Sequence, residues 1–355
     1  MDKAQKPTIA ILFGGCSPEY GVSLQSAHAV ITHLDTNLYT FVLIGISQTG
    51  EWYRFNGNHD KIKNDTWNNS ADCVRANISP CRSIRGLVEL TQGEISITKI
   101  DAAFPVLHGK NGEDGTVQGL LELAGIPIVG CNTLSSALCM DKDRAHKTAY
   151  LAGINVPKSF VLSKASVGDK AKTVEANADE LGYPLFIKPI RAGSSFGISK
   201  VLNQDELSAA TELAFRYDNR IIIEQCINGI EIGCAVLGNE DLIVGELDEI
   251  ELSDGFFDHQ EKYTLETSAI HVPARIPPST AADIKAMAKI AYQALGCSGF
   301  ARVDFFLNPD GEIFFNEANT IPGFTLHSRY PNMLKAIGMS FADVVNMAVS
   351  LALNS

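Results

Sequence analysis

The first apolar run of the chain, Thr8 to Phe13, is short and β-rich and ends on Gly14-Gly15, after which Val22 to Val30 carries its apolar residues along one helical side. A strand, a glycine turn and a helix in that order open an α/β unit. Tyr39 to Ile46 and Ala102 to Leu107 predict further strands, and Thr116 to Ala124 predicts a helix stopped by Gly125 and Pro127. The first 130 residues therefore read as an open α/β sheet, with the polar, weakly periodic stretch Asn56 to Asn77 expected as a surface excursion.

From Lys142 the pattern changes. A helix leads to strands near Phe160 and Leu185, a glycine-serine turn at Gly193 to Gly197, and strands near Ser199 and Ile221, which predict a small α+β unit with antiparallel pairing. Strands at Ile230 to Leu237 and Leu242 to Glu246 follow, then a polar loop with aromatics from Ser253 to Thr267 and a long helix from Ala281 to Leu295. Two last strands, Ala301 to Leu307 and Ile313 to Glu317, are joined by Asn308-Pro309-Asp310-Gly311, residues that favour a tight hairpin.

Composition narrows the partners. The 355 residues carry 29 Lys plus Arg against 41 Asp plus Glu, a net charge of −12, which argues against non-specific binding to nucleic acid or anionic membranes and makes any phosphate chemistry local. No apolar run approaches the roughly 18 residues of a membrane span, and Met1 to Thr8 lacks a signal-peptide core, so the expected location is the cytoplasm. The eight cysteines form no CxxC pair or Cys/His cluster, which speaks against a zinc site and for reduced, mostly buried thiols.

Three constellations carry candidate chemistry. On the last hairpin, Asp304 lies on one strand, Glu317 ends the next and Asn319 follows on the same face, a set of hard oxygen ligands that suits Mg²⁺; the alternative is a solvated strand end. Arg302, on the face of Asp304, is placed to meet a developing oxyanion or to form a structural ion pair. Lys188-Pro189 before Gly193-Ser194-Ser195-Phe196-Gly197 suits a phosphate cover, although GxGxxG and GxxxxGK[ST] are both absent and an ordinary turn fits too. Ile221-Ile222-Ile223 ends in Glu224, with Glu231 beyond, two carboxylates able to accept from an adenine amine and from ribose hydroxyls.

Taken in order, these segments resemble the ATP-grasp enzymes, and within them the D-alanine:D-alanine ligase family, over nearly the whole chain. The resemblance rests on Phe13-Gly14-Gly15-Cys16-Ser17-Pro18-Glu19 with Val22-Ser23, Leu107-His108-Gly109 with Gly112-Glu113-Asp114-Gly115-Thr116, and Met140-Asp141-Lys142. It continues through Lys188-Pro189 with Gly193-Ser194-Ser195, Glu261-Lys262-Tyr263, Arg302-Val303-Asp304, and Asn316-Glu317-Ala318-Asn319-Thr320 with Pro322-Gly323.

The resemblance implies three domains, an N-terminal open α/β substrate domain (1–130), a central ATP-grasp domain (131–224) and a C-terminal one with the metal site and closing loop (225–355). It implies that Lys142, Lys188, Ser195 and Lys262 serve the phosphates of ATP, Glu224 and the Ile227 backbone the adenine, and Glu231 the ribose. Asp304, Glu317 and Asn319 would hold two Mg²⁺ ions, with Mn²⁺ able to substitute. Glu19 would take the ammonium of the first D-alanine, linked through Ser194 to Tyr263 on the closing loop, with His108 nearby; Arg302 and the Gly323 amide would hold the tetrahedral oxyanion, and Ser328 the second carboxylate. A homodimer acting on small D-amino acids is implied as well.

The second substrate is expected to be D-serine. Ser328-Arg329-Tyr330-Pro331 resembles the vancomycin-resistance ligases, where housekeeping members have an apolar residue after the serine. Lys262-Tyr263 is the pair that D-lactate ligases replace with a histidine, although His259-Gln260-Glu261 is similar to their loop, and Gly21 departs from the first motif. The alternatives are a D-alanine:D-alanine ligase, then a D-alanine:D-lactate ligase; a non-catalytic ATP-binding module and an oxidoreductase rank below them.

Overall fold

The computed structural model describes residues 6–69, 71–91, 93–193, 196–252 and 268–355. Strand β1 (Thr8–Gly14) is apolar almost throughout because it is covered on both faces, as expected of a central strand with parallel neighbours. It lies between β2 (Thr40–Ile46) and β7 (Ala102–Pro105), parallel to both. Between those two in sequence, β3 (Trp52–Phe55), β4 (Cys73–Ile78), β5 (Gly86–Thr91) and β6 (Glu94–Lys99) extend the sheet as an antiparallel meander, in the order β6-β5-β4-β3-β2-β1-β7. Helix α1 (Tyr20–His33) returns from β1, and the Ser23 hydroxyl locks that return by accepting from the Gly14 amide (2.8 Å) and donating to the Val106 carbonyl.

The stretch Asn56 to Asn77 is not a mere surface excursion. It contains the one-turn helix α2 (Asp60–Lys63), the inner-sheet strand β4, and Trp67, which is fully buried edge-on to Phe13 with ring centroids 4.9 Å apart. A side chain at Gly45 would overlap the indole, 2.3 Å from it, so the glycine there makes room for the tryptophan. One aromatic among Asn, Asp and Lys residues carries no period, which is why the pattern hides it.

Helices α3 (Thr116–Ala124), α4 (Thr133–Met140) and α5 (Lys142–Leu151) lead to a four-stranded sheet of β8 (Ser159–Ser163), β9 (Leu185–Pro189), β10 (Ser199–Val201) and β11 (Arg220–Gln225), ordered β10-β9-β11-β8 and wholly antiparallel as the sequence predicts. Helices α6 (Val167–Leu181) and α7 (Gln204–Ala214) belong to the same unit, and Asn203 caps α7 by accepting from the Asp205 amide. The last sheet runs β14-β13-β12-β15-β16, from β12 (Ile230–Leu237), β13 (Ile243–Leu252), β14 (Ser268–His271), β15 (Phe300–Leu307) and β16 (Ile313–Asn319). Helix α8 (Pro278–Ala294) covers it, and α9 (Arg329–Lys335) and α10 (Phe341–Leu353) close the chain.

First and last sheets share one core. Phe104 of β7 meets Phe300 of β15 at 5.8 Å, Phe324 sits 5.2 Å from Phe300, and Tyr330, Val344 and Val349 join the cluster that contains Ile9 and Ile11. This packing brings the end of β1 and the start of α1 to the face of the β15–β16 hairpin. No helix among the described residues is long and apolar enough to cross a membrane. Cys131, Cys139 and Cys234 are buried, but Cys16 and Cys81 are exposed, so the expected burial of the thiols holds only in part.

Candidate active site

Where the three sheets meet lies a cavity of about 680 Å³, lined by residues from both ends of the chain and from its middle. The β15–β16 register sets Asp304 opposite Glu317 and Arg302 opposite Asn319, with a register shift between Asp304 and Phe305, and Arg302, Glu317 and Asn319 line the cavity. Arg302 grips Asp304 with both arms of its fork, Nε to Oδ1 at 2.8 Å and Nη2 to Oδ2 at 2.7 Å, while Asn319 Nδ2 donates to Asp304 Oδ2 at 2.9 Å. Burial works against the charge on Arg302, and Asp304 beside it more than offsets this, so the guanidinium stays cationic. The donors fit a hard divalent cation: two carboxylates and an amide converge, all oxygen-bearing, with no sulfur or imidazole among them.

On the opposite wall, Lys188 of β9 and Glu224 of β11 form an ion pair on one face of the central sheet, with Lys188 7% and Glu224 1% exposed. Glu224 Oε2 has no hydrogen-bond partner among the described residues, so a buried acceptor stands in the cavity wall ready for a donor from a ligand. The ammonium of Lys188 also lies 5.4 Å above the Phe186 ring. Lys142 opens α5, whose amino end Asp141 caps by accepting from the Arg144 amide, and its Nζ donates to the Ala192 carbonyl at 3.0 Å. Ile227 and Glu231 line the same wall.

The third wall comes from the amino-terminal sheet. Glu19 precedes α1, and the glycines around it are dictated by space: a Cβ at Gly109, whose φ is +73°, would lie 2.6 Å from Glu19 Oε2, and one at Gly193 would lie 3.1 Å from it. His108 is 5% exposed, its Nδ1 3.0 Å from the Ile321 carbonyl and its Nε2 3.4 Å from Ser26 Oγ, and burial lowers its pKa despite Glu19. Gly323 approaches Ser328 so closely that a Cβ would stand 2.9 Å from the hydroxyl, which pairs with Thr325 Oγ1 at 2.8 Å. Ser194, Ser195, Lys262, Tyr263 and His259 lie outside the described residues, as does the whole loop expected from Ser253 to Thr267.

The D-ala D-ala ligase N-terminus family matches residues 8–131 and the D-ala D-ala ligase C-terminus family residues 149–350. The chain belongs to the D-alanine:D-alanine ligase family. Among its relatives are a putative D-alanine–D-lactate ligase of Streptomyces coelicolor, 46% identical with 97% of each chain covered, and the vancomycin C-type resistance protein VanC1 of Enterococcus gallinarum, 45% identical over 97% of this chain and 98% of that one. The crystal structure of VanG D-Ala:D-Ser ligase from Enterococcus faecalis superposes with a TM-score of 0.91 at 56% identity, covering 98% of this chain and 100% of that one.

As a member of this family the chain is an ATP-dependent ligase with the ATP-grasp architecture, which sets aside the oxidoreductase alternative. Two residues of the ligase's cavity region received no role from sequence. Glu113, from the Gly-Glu-Asp-Gly stretch, is half-buried in the cavity wall and its carboxyl is pushed up to about 8, first by loss of water around it and then by Glu19. Asp248, fully buried on β13, takes both Nε and Nη2 of Arg329 at 2.7 Å. An acid in an interior strand, Glu246-Leu247-Asp248, was the available signal, because a buried carboxylate needs a cation. Arg329 also donates to Glu231 at 2.9 Å and faces Asp304 at 3.6 Å. Thus the arginine singled out for the second substrate reaches the cavity with its donors already spent on Asp248 and Glu231, a ring of carboxylates that links the expected ribose and metal positions.

Proposed function

We propose that this ligase joins D-alanine to D-serine through a D-alanyl phosphate, supplying a peptidoglycan precursor of the vancomycin-resistance type. The observation that carries it is one cavity with Glu317, Asn319 and Arg302 on one wall, the last two hydrogen-bonded to the buried Asp304 behind them, and Lys142 with Lys188 on the other. A substrate rich in phosphate charge, with a divalent cation on it, uses both.

In this reading Lys142 and Lys188 hold phosphates, with Ser195 and Lys262 completing their cover. The orphan oxygen of Glu224 accepts from the adenine amine, the Ile227 backbone pairs beside it, and Glu231 takes the ribose. Held by Asp304, Glu317 and Asn319, two Mg²⁺ ions would neutralise the transferring phosphoryl group, and Mn²⁺ would substitute. Glu19 orients the first D-alanine by its ammonium, linked through Ser194 to Tyr263, with neutral His108 behind it. The carboxylate oxygen of D-alanine attacks the γ-phosphorus and ADP leaves. The amine of the second substrate, held near Ser328 and Arg329, then attacks the acyl carbon. Arg302 and the Gly323 amide stabilise the oxyanion, and its collapse expels inorganic phosphate. Exclusion of water protects the acyl phosphate from hydrolysis.

D-Serine is favoured by Arg329 together with Lys262-Tyr263 and by the likeness to VanG D-Ala:D-Ser ligase at 56% identity. D-Lactate is the second reading, supported by His259 and by the 46% identity to the putative D-lactate ligase. The three sheets are read as the cores of domains 1–130, 131–224 and 225–355 of a cytoplasmic homodimer that binds neither nucleic acid nor membrane. Product analysis with D-alanine, D-serine and D-lactate in competition at neutral pH decides the substrate. D-alanyl-D-serine should predominate; equal or better use of D-alanine sinks the assignment, and abundant depsipeptide moves it to D-lactate.

A further inference from the structure

Away from the cavity, α1 and α2 carry a group that the ligase reaction does not use. His28, in the third turn of α1, and His59 with Asp60, at the start of α2, bring one ligand atom each to within 4.8 Å of the others. Among the described residues this is the one such group of three His, Cys, Asp or Glu side chains. His28 Nε2 already lies 3.1 Å from Asp60 Oδ1, and the two imidazoles stand 5.4 Å apart between centroids.

We propose that His28, His59 and Asp60 bind a divalent transition-metal ion of the zinc class. The chemistry of the set points there: two imidazoles and one carboxylate suit Zn²⁺, Co²⁺ or Ni²⁺, whereas Mg²⁺ prefers oxygen alone. With metal–ligand bonds of about 2.0–2.1 Å, ligand atoms of a tetrahedral ion stand roughly 3.3 Å apart. The His28–Asp60 separation is close to that spacing, and a ring nitrogen of the half-buried His59 lies within 4.8 Å of both.

The backbone under the site is held independently of any metal. Gln25 Nε2 donates to the Lys63 carbonyl at 2.9 Å, the Asp60 amide donates to Asn58 Oδ1 at 2.9 Å, Tyr20 donates to Asp65 at 2.8 Å, and Ile62 is fully buried. A binding ion therefore pays little ordering entropy. Gly21, Gln25 and His28 lie along one row of α1, and the first two line the cavity. The site thus ties α2 to the helix that Glu19 precedes.

The test is Zn²⁺ titration of the tag-free full chain in excess Mg²⁺, by calorimetry, with Co²⁺ absorption as a second readout. The parent should bind one Zn²⁺ per chain that the His28→Ala/His59→Ala double variant does not, with cobalt bands free of thiolate charge transfer. Each single histidine variant should lose at least about tenfold in affinity, and zinc should raise the melting temperature of the parent but not of His59→Ala. Turnover with Mg-ATP should stay at the parent level in His59→Ala, which separates this site from the ligase reaction. Equal zinc stoichiometry and affinity in parent and double variant, or cobalt bands of thiolate type alone, would overturn the proposal.

Discussion

Two buried charge clusters face each other across the cavity, and they are built differently. On the central sheet Lys188 and Glu224 pair, and one oxygen of Glu224 is left over. On the last sheet Arg302 and Arg329 are meshed with Asp304, Asp248 and Glu231, and all three nitrogens of the Arg329 guanidinium donate to a carboxylate. The first arrangement keeps a vacancy for a hydrogen-bonding ligand. The second is a scaffold that, in the proposed function, would fix where a cation and a reacting carbonyl sit. Burying any of these charges is costly without partners, so the spare oxygen of Glu224 marks a binding function and the saturation around Arg329 marks a positioning one.

The strongest test of this contrast is Glu317→Gln, which removes a negative ligand from the saturated side. Turnover should fall by about a thousandfold or more while the melting temperature stays near that of the parent, since several kcal/mol of phosphoryl stabilisation are lost. Near-normal turnover at saturating Mg²⁺ would end the metal assignment.

Arg329→Leu attacks the scaffold itself. It strands Asp248 and Glu231, and should destabilise the fold by roughly 3 kcal/mol, the scale for breaking a buried pair, read by chemical denaturation. Activity should drop with D-serine and D-alanine alike. A stable variant with a clean shift toward D-alanine would instead show that Arg329 acts on the second substrate directly.

Glu224→Gln keeps an acceptor but leaves Lys188 without its anion. The KM for ATP should rise by about tenfold with a smaller change in kcat, because the lost interaction serves binding and not the transition state. If kcat fell and the KM held, the central cluster would be catalytic and the contrast between the walls would disappear.

The smallest effect concerns Glu113. Its folded pKa of about 8 lies above the ordinary 4.5, so the folded state holds a proton the unfolded chain releases. Its stabilising contribution is complete below 4.5 and is lost as pH rises toward 8. Melting curves from pH 5 to 9 should therefore show Glu113→Gln gaining on the parent until about pH 8, then running parallel. A constant gap across that range would mean that Glu113 ionises as an exposed carboxyl does.

Legibility in the sequence followed the same divide. The hairpin with Asp304, Glu317 and Asn319 was readable because strand period and turn chemistry are local: Asn308 to Gly311 sets the turn, with the Gly311 amide bonding back to the Asn308 carbonyl, and alternation sets the face. The meander β3 to β6 was not, because its strands are short and partly exposed and its anchor is the single Trp67. Asp248 escaped for another reason. Its partner, Arg329, arrives from 81 positions further along the chain, and no local pattern announces it.

What the sequence alone determined is the set of chemistries available: a family order of motifs, hard oxygen ligands on one hairpin, lysines beside a glycine turn, and a net charge of −12. Periodicity and turn residues act over a few positions, so they settle elements and faces without knowing their neighbours. The tertiary structure decided the pairings. It closed Lys188 on Glu224, spent Arg329 on Asp248, set Glu113 beside Glu19 where its carboxyl is pushed up, and set His28 against Asp60. Each of these depends on distance and on loss of water between segments well separated in the chain, and both quantities exist only after those segments have packed together.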